Sequence, residues 1–265
     1  MTDFYTSIIL TIFNKEKIIE KVIDSLFMHS SSLIQEYIFV LDGCTDSSEK
    51  ILKSKIAFIP YGAKYKIMYA NNVFELRANN IGLKEVSLQY AIIIQDDMVI
   101  MEPNWNERLI LPMQKYNDIW AVTARTSCSL NNKGEWYNIK EGPVGHKYIE
   151  NSDYPRNIIY VGQVINRGPL LVKMSVIKEI GYFDETLPGC IGCDDVDACL
   201  KIFSKFGLRC CSFYVKYISP LEWGSTRVGP NASYCSKQEI LNRNEIINRY
   251  RYIIDNWKYD EIRYV

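Results

Sequence analysis

The chain carries no surplus of charge of either sign: 31 lysines and arginines balance 31 aspartates and glutamates over 265 residues. A strongly basic balance is the electrostatic mark of nucleic-acid or anionic-membrane binding. Its absence argues against a nucleic-acid partner. No apolar run reaches the roughly 18 residues that a transmembrane segment needs. The opening stretch, Met1 to Leu10, has an acid and no basic region, so it does not read as a secretory signal. The expectation is a cytoplasmic protein, at most peripheral at the inner face of a membrane. Histidine is scarce, with only His29 and His146. No glycine-rich, lysine-bearing loop follows the first strand-like run, where Phe13-Asn-Lys-Glu16 stands instead. That counts against a nucleotidyltransferase with such a phosphate loop. Internal repeats, low-complexity tracts and linkers are also missing.

Cysteine is present, at positions 44, 128, 190, 193, 199, 210, 211 and 235. In a cytosolic protein these are expected to be reduced thiols. Cys190 and Cys193 have CxxC spacing, but a zinc site needs four ligands in tetrahedral reach. The adjacent pair Cys210 and Cys211 rarely supplies two of them, so free cysteines are the expectation.

The first hundred residues alternate strand-like and helix-like patterns. Tyr5 to Ile12 is a short, isoleucine-rich run typical of a buried strand. Asn14 is placed to cap the next helix, in which Ile18, Ile19, Val22, Ile23, Leu26 and Phe27 recur at helical spacing. Tyr37–Leu41, Tyr65–Ala70 and Tyr90–Gln95 read as further strands, and Leu76–Ser87 as a helix. Asp46 and Glu49 have capping-box spacing. The predicted class is α/β: a mostly parallel sheet with helices on both faces. The second half is less regular. Residues 127–157 read as a long loop, 158–165 and 169–173 as strands, and Asp194–Phe206 as a helix. Residues 220–234 read as a mobile segment. The tail from 236 to 265 reads as a helix, docked on the core or facing a partner copy or a membrane surface.

The informative feature is where acids fall. In open α/β sheets ligands bind at the carboxyl ends of strands. Asp42 ends the second strand, Asp96 and Asp97 end the fourth, and Asp194, Asp195 and Asp197 begin a later helix. Asp96 and Asp97 interrupt an otherwise apolar run, Ile92 to Ile100, and burying unpaired carboxylates costs several kcal/mol each. A cation relieves that cost, and hard oxygen ligands suit Mg²⁺ or Mn²⁺. The pattern predicts one polyanionic pocket that needs a cation.

Five segments, in order, resemble the family-2 glycosyltransferases, which have the GT-A fold. Ser7-Ile-Ile-Leu-Thr-Ile-Phe-Asn14 is similar to the family's opening strand, with Thr11 and Phe13 in place of Pro and Tyr. Val40-Leu-Asp-Gly-Cys-Thr-Asp46 resembles its Asp-Gly-Ser-Thr-Asp turn. Arg77-Ala-Asn-Asn-Ile-Gly82 resembles its Arg-Asn-x-Gly helix start. Gln95-Asp-Asp-Met98 resembles its metal-binding acid pair. Gly181-Tyr-Phe-Asp-Glu185 with Cys193-Asp-Asp-Val-Asp197 resembles its acceptor-side stretch. The resemblance spans roughly residues 5–225. It implies one GT-A domain over 1–235, with a nucleotide-binding half of about 1–100 and an acceptor half of about 101–235.

The resemblance further implies transfer of a sugar from a nucleoside-diphosphate sugar to an acceptor hydroxyl of a glycan or glycoconjugate, with inversion and with Mn²⁺ or Mg²⁺. Thr11, Phe13, Asn14, Asp42 and Arg77 would hold the nucleotide. Asp42, if not simply a turn-former, would accept a base N–H, which favours UDP, with GDP or dTDP as fallbacks. Asp96 would face the donor's ribose or sugar, Asp97 would bind the metal and Asp195 would be the general base. Asp194 would cap its helix and Asp197 would be solvated. Many relatives carry a histidine near Gly-Ser after the base helix. Here that stretch is Pro220-Leu-Glu-Trp-Gly-Ser225, and Glu222 is the candidate substitute ligand. Trp223 would stack on a sugar or pack in the core, and 220–234 would close over the donor. The alternatives are a nucleotidyltransferase or an inactive module that only binds sugar nucleotides.

Overall fold

The computed structural model describes residues 4–131, 133, 135–138, 155–224 and 231–265. The chain opens with strand β1 (Thr6–Ile12), helix α1 (Ile19–His29), β2 (Ile34–Asp42), α2 (Ser48–Lys55), β3 (Lys64–Ala70), α3 (Phe74–Lys84) and β4 (Tyr90–Gln95). Next come β5 (Val99–Ile100), α4 (Trp105–Lys115), β6 (Ile119–Thr123), β7 (Ser127–Leu130), β8 (Trp136–Asn138), β9 (Ile158–Gly162), β10 (Val164–Ile165) and β11 (Leu170–Lys173). The rest is α5 (Met174–Glu179), α6 (Asp194–Phe206), β12 (Arg209–Ser212), β13 (Tyr217–Ile218), α7 (Ala232–Asp255) and β14 (Glu261–Tyr264).

Nine strands form the central sheet, in the order β14-β9-β12-β6-β11-β4-β1-β2-β3. β3, β2, β1 and β4 are mutually parallel, β11 is antiparallel to both β4 and β6, and β12 is parallel to β6. β9 alone reverses between β12 and β14. All strands but β11 and β9 therefore run the same way, as the mostly parallel expectation requires. β1, with both faces covered, is buried at every position but Thr11, which is why it reads as a continuous apolar run.

Helices cover both faces. Ile8, Leu10 and Ile12 of β1 pack with α1 and α4 on one side. Ile9 packs with α3, α6 and α7 on the other. α3 approaches β1 so closely that a Cβ on Gly82 would lie 2.5 Å from Ile9 Cγ2.

Three local expectations are corrected. Asn14 does not cap α1. It takes φ 49°, and its side chain accepts the Thr45 N–H, bracing the β1–α1 turn against the next one. The capping box does not form: Asp46 accepts the N–H groups of Ser48 and Glu16, while Glu49 pairs with Lys53. The tail is not helical to residue 265. α7 ends at Asp255, and β14 joins the sheet beside β9, pairing Tyr264 with Ile158. The predicted loop 127–157 contains β7 and β8, and its residues 139–154 lie outside the described residues. Of the segment 220–234, residues 225–230 also lie outside them.

Candidate active site

After β1 the chain adds β2 and β3 on one side, then crosses back to lay β4 on the other. Ligand crevices open at such a switch point, at the strands' carboxyl ends. Here the turn after β1 meets the turn after β4. The Phe13 N–H donates to Asp96 Oδ2 at 2.8 Å, and Lys15 Nζ lies 3.5 Å from Asp96 Oδ1. The Lys15 ammonium also donates to the Trp223 carbonyl.

A cavity of about 320 Å³ opens there, with Thr11, Phe13, Lys15, Asp42, Asp96 and Asp97 in its lining. Thr11 Oγ1 donates to Asn79 Oδ1 of α3 at 2.8 Å. Asp42 is 2% exposed, and its two carboxylate oxygens accept the N–H groups of Val73 and Phe74 at 2.7 and 3.0 Å. These bonds hold the start of α3, where Phe74 takes a left-handed φ of 68°. Burial pushes Asp96 up to about 7, with Lys15 pulling it down and Asp97 pushing it further up. Asp97 is buried, and its Oδ1 has no hydrogen-bond partner among the described residues. Unsatisfied buried polar atoms are rare and demand an explanation.

A second cavity, of about 550 Å³, adjoins the first. Glu75, Gln95, Ile191 and Cys235 line both. A polar chain forms the wall between them: Gln95 Nε2 donates to Glu75 Oε1 at 3.0 Å, Arg167 Nη1 lies 3.6 Å from that oxygen, and Arg167 Nη2 donates to Asp194. Asp195 lines the second cavity. Its oxygens accept the N–H groups of Arg167 and Val196 at 2.8 and 2.9 Å. Burial raises its pKa, with Arg167 opposing. Burial likewise pushes Asp194 up, and the Arg167 charge beside it pulls it back down.

The expected single polyanionic pocket is therefore two cavities. Asp42, Asp96 and Asp97 line the first and Asp195 the second. Asp194 is fully buried behind Arg167. Asp197, expected to be solvated, is 1% exposed, because it accepts from Tyr250 Oη and pairs with Arg249 of α7. Among the described residues no three His, Cys, Asp or Glu side chains converge on one metal position. Cys190 and Cys193, like the other six cysteines, are free thiols.

Three nominated residues line neither cavity. Asn14 braces a turn. Arg77 stands two positions past Glu75, about 200° round the helix. It therefore faces solvent, near Glu185. Glu222 is exposed on the turn Leu221–Trp223. Trp223 is half-buried and contributes its carbonyl rather than a stacking ring. Sequence reasoning missed Lys15, Glu75, Arg125 and Arg167. Arg125 lies two residues past the end of β6, and the strand-end logic applied to Asp42 and Asp96 points to it once β6 is seen.

Residues 7–168, more than half of the chain, match the model of glycosyl transferase family 2. The chain belongs to that family. No curated protein sequence matches it. Solved structures of similar fold include GalNAc-T7 with UDP, GalNAc and Mn²⁺, with a TM-score of 0.68 and 13% identity over 92% of this chain and 47% of that one. The mannosyltransferase PcManGT from Pyrobaculum calidifontis with GDP-Man and Mn²⁺ has a TM-score of 0.62 and 14% identity, over 92% of this chain and 64% of that one. Glucosyl-3-phosphoglycerate synthase from Mycobacterium tuberculosis with Mg²⁺ and UDP has a TM-score of 0.57 and 17% identity, over 93% and 79%. At such identities the likeness is one of fold, and that fold is the GT-A fold. The chain spans about half of the first and just under two thirds of the second. Among the described residues of this family member, no helix is long and apolar enough to cross a membrane.

Proposed function

We propose that the chain is an inverting glycosyltransferase that moves a sugar from a nucleoside-diphosphate donor, UDP preferred, to an acceptor hydroxyl. The observation that carries this reading is the pair of adjoining cavities, with Asp96 and Asp97 in one and Asp195 in the other. The nucleotide half, about 1–100, supplies Thr11, Phe13, Asp42, Asp96 and Asp97 to the donor cavity. The acceptor half, about 101–235, supplies Asp195. The family and the nucleotide-bearing structures of similar fold support the donor class.

The donor cavity fits a divalent ion. Asp97 offers a buried oxygen without a partner among the described residues, Asp96 stands beside it, and carboxylate oxygens are the donors Mn²⁺ and Mg²⁺ take. Such ions commonly keep waters and substrate phosphates as further ligands, so two protein carboxylates suffice. When bound, the ion would offset charge gathering on the leaving diphosphate. Lys15 adds a fixed cation on the same wall. Asp42, after holding the turn before α3, keeps second lone pairs for a base N–H. In the acceptor cavity Asp195 takes the proton of the acceptor hydroxyl. The acceptor oxygen then bonds to the anomeric carbon from the face opposite the diphosphate, and the glycosidic C–O electron pair leaves with the diphosphate. A single displacement inverts the centre. Burial raises Asp195 above the ordinary carboxylate value, and a more basic carboxylate is a better base.

The test is a thermal-shift series of nucleoside diphosphates with and without Mn²⁺, followed by assays for donor hydrolysis and transfer. A ligand at 100 times its Kd adds about 2.7 kcal/mol of apparent stability. UDP should stabilise most, and only with metal. If CDP or ADP is best, the role given to Asp42 fails. Binding without hydrolysis or transfer would make the chain a sugar-nucleotide-binding module.

A further inference from the structure

One cation of the acceptor cavity has no ion-pair partner among the described residues. Arg125 is 6% exposed and lines this cavity, yet among the described residues its guanidinium makes no ion pair or hydrogen bond. Arg167, the other arginine there, differs: its charge is committed to Asp194 and Glu75. Glu239 of α7 lines the same cavity and does not come within ion-pairing distance of Arg125. A buried charge without a partner is costly to keep. Its position is nonetheless tightly set. The Arg125 N–H donates to Thr123 Oγ1 at 3.1 Å, and Thr123 Oγ1 donates to the Asn166 carbonyl at 2.7 Å. Asn166 Nδ2 in turn donates to Thr126 Oγ1 at 3.0 Å. A clamped backbone thus presents an unspent guanidinium to a cavity of about 550 Å³ that also contains the Asp195 carboxylate. Trp136, 36% exposed, adds an aromatic surface to the same lining.

We propose that the acceptor is an anion, whose phosphate or carboxylate group is received by Arg125 while its hydroxyl lies against Asp195. The inference rests on reading the second cavity as the acceptor site. A planar guanidinium binds either oxyanion through two parallel N–H donors, and such charge-assisted bonds are the strong ones. The counter-charge that Arg125 lacks among the described residues would then arrive with the substrate. An uncharged acceptor would leave Arg125 buried and unpaired, so the site would select against it.

The experiment measures equilibrium binding of matched probes to the full chain with UDP and Mg²⁺ present. Glycerol 3-phosphate is compared with glycerol, and glucuronate with glucose. At least one anionic probe should bind about tenfold tighter or more than its uncharged parent. The stronger arm says whether phosphate or carboxylate is the natural group. Arg125→Gln should abolish the difference, while Arg125→Lys keeps the charge without the fork and should retain part of it. Equal binding within both pairs, no binding by either anionic probe, or a preference that survives in Arg125→Gln overturns the proposal. UDP binding is read on the same samples. A wild-type chain that ignores UDP sinks the donor reading, and the pairs are then compared without nucleotide. A chain that binds UDP but treats both pairs alike sinks this inference alone. Should Arg125→Gln fail to bind UDP, the wild-type pairs and Arg125→Lys decide.

Discussion

The main-chain N–H of Arg167 donates to Asp195 Oδ2 at 2.8 Å, while the Arg167 guanidinium pairs with the neighbouring Asp194. One residue thus serves two adjacent acids in different ways. Asp194 takes the charge. Asp195 is oriented by the main chain, feels the Arg167 charge only from a distance, and lines the second cavity.

Replacing the proposed base separates chemistry from binding. Asp195→Asn should lower transfer by about 10²- to 10⁴-fold, with UDP affinity little changed. Asp197→Asn should cost much less in transfer, since that side chain holds α7. Because burial raises Asp195, kcat/KM should rise with pH through a limb above the ordinary carboxylate value of about 4. Near-normal transfer by Asp195→Asn, or a larger loss at Asp197, moves the base elsewhere. Steady-state rates across pH for the three proteins decide.

Arg167→Met should destabilise the fold by about 3–5 kcal/mol at neutral pH, because it leaves Asp194 buried and uncompensated. Adding Asp194→Asn should recover part of that loss. Urea unfolding of the wild type, the single variant and the double variant measures both. No recovery in the double variant would mean that lost packing, not stranded charge, sets the cost.

Asp97→Asn should leave the fold intact and remove metal-dependent UDP binding. EDTA should do the same to the wild type. Isothermal titration with UDP, with and without Mn²⁺, is the check. Transfer that persists in EDTA would end the metal role.

Asn242→Ala should cost about 2–4 kcal/mol, several times a surface change. Its amide accepts the Gly189 N–H at 2.6 Å and donates to the carbonyls of Gly189, Ile191 and Gly192. The loop it holds runs under both cavities through Ile191. Gly189→Ala should be comparably damaging, since its Cβ would lie 2.2 Å from the Gln238 carbonyl oxygen. Thermal melts of both variants read the cost, and an effect below about 0.5 kcal/mol would show the loop held by other contacts.

Much of this protein was determined by its sequence alone. The apolar runs of β1, β2 and β4 and the helical spacing in α1 and α6 are local patterns, set by burial of one face or both. The acids ending those strands mark a ligand-binding edge because a charge inside an apolar run needs a reason. The order of five short motifs carries the family. Tertiary structure alone decided which side chains share a cavity. Lys15 faces Asp96 across 81 residues of chain, and Arg167 reaches back to Glu75 across 92. No local period encodes such pairings. Arg77 and Glu75 differ by two positions on one helix, and only the packing of α3 against β1 sends the first to solvent and the second to the wall between the cavities. Arg125 reads as an ordinary arginine in the sequence. It becomes a buried charge without a partner among the described residues because its place after β6 and beside the turn before β11 puts it in the second cavity's lining. β14 is four residues long and becomes a strand only because β9 offers it an edge, since short strands draw their stability from pairing rather than from propensity.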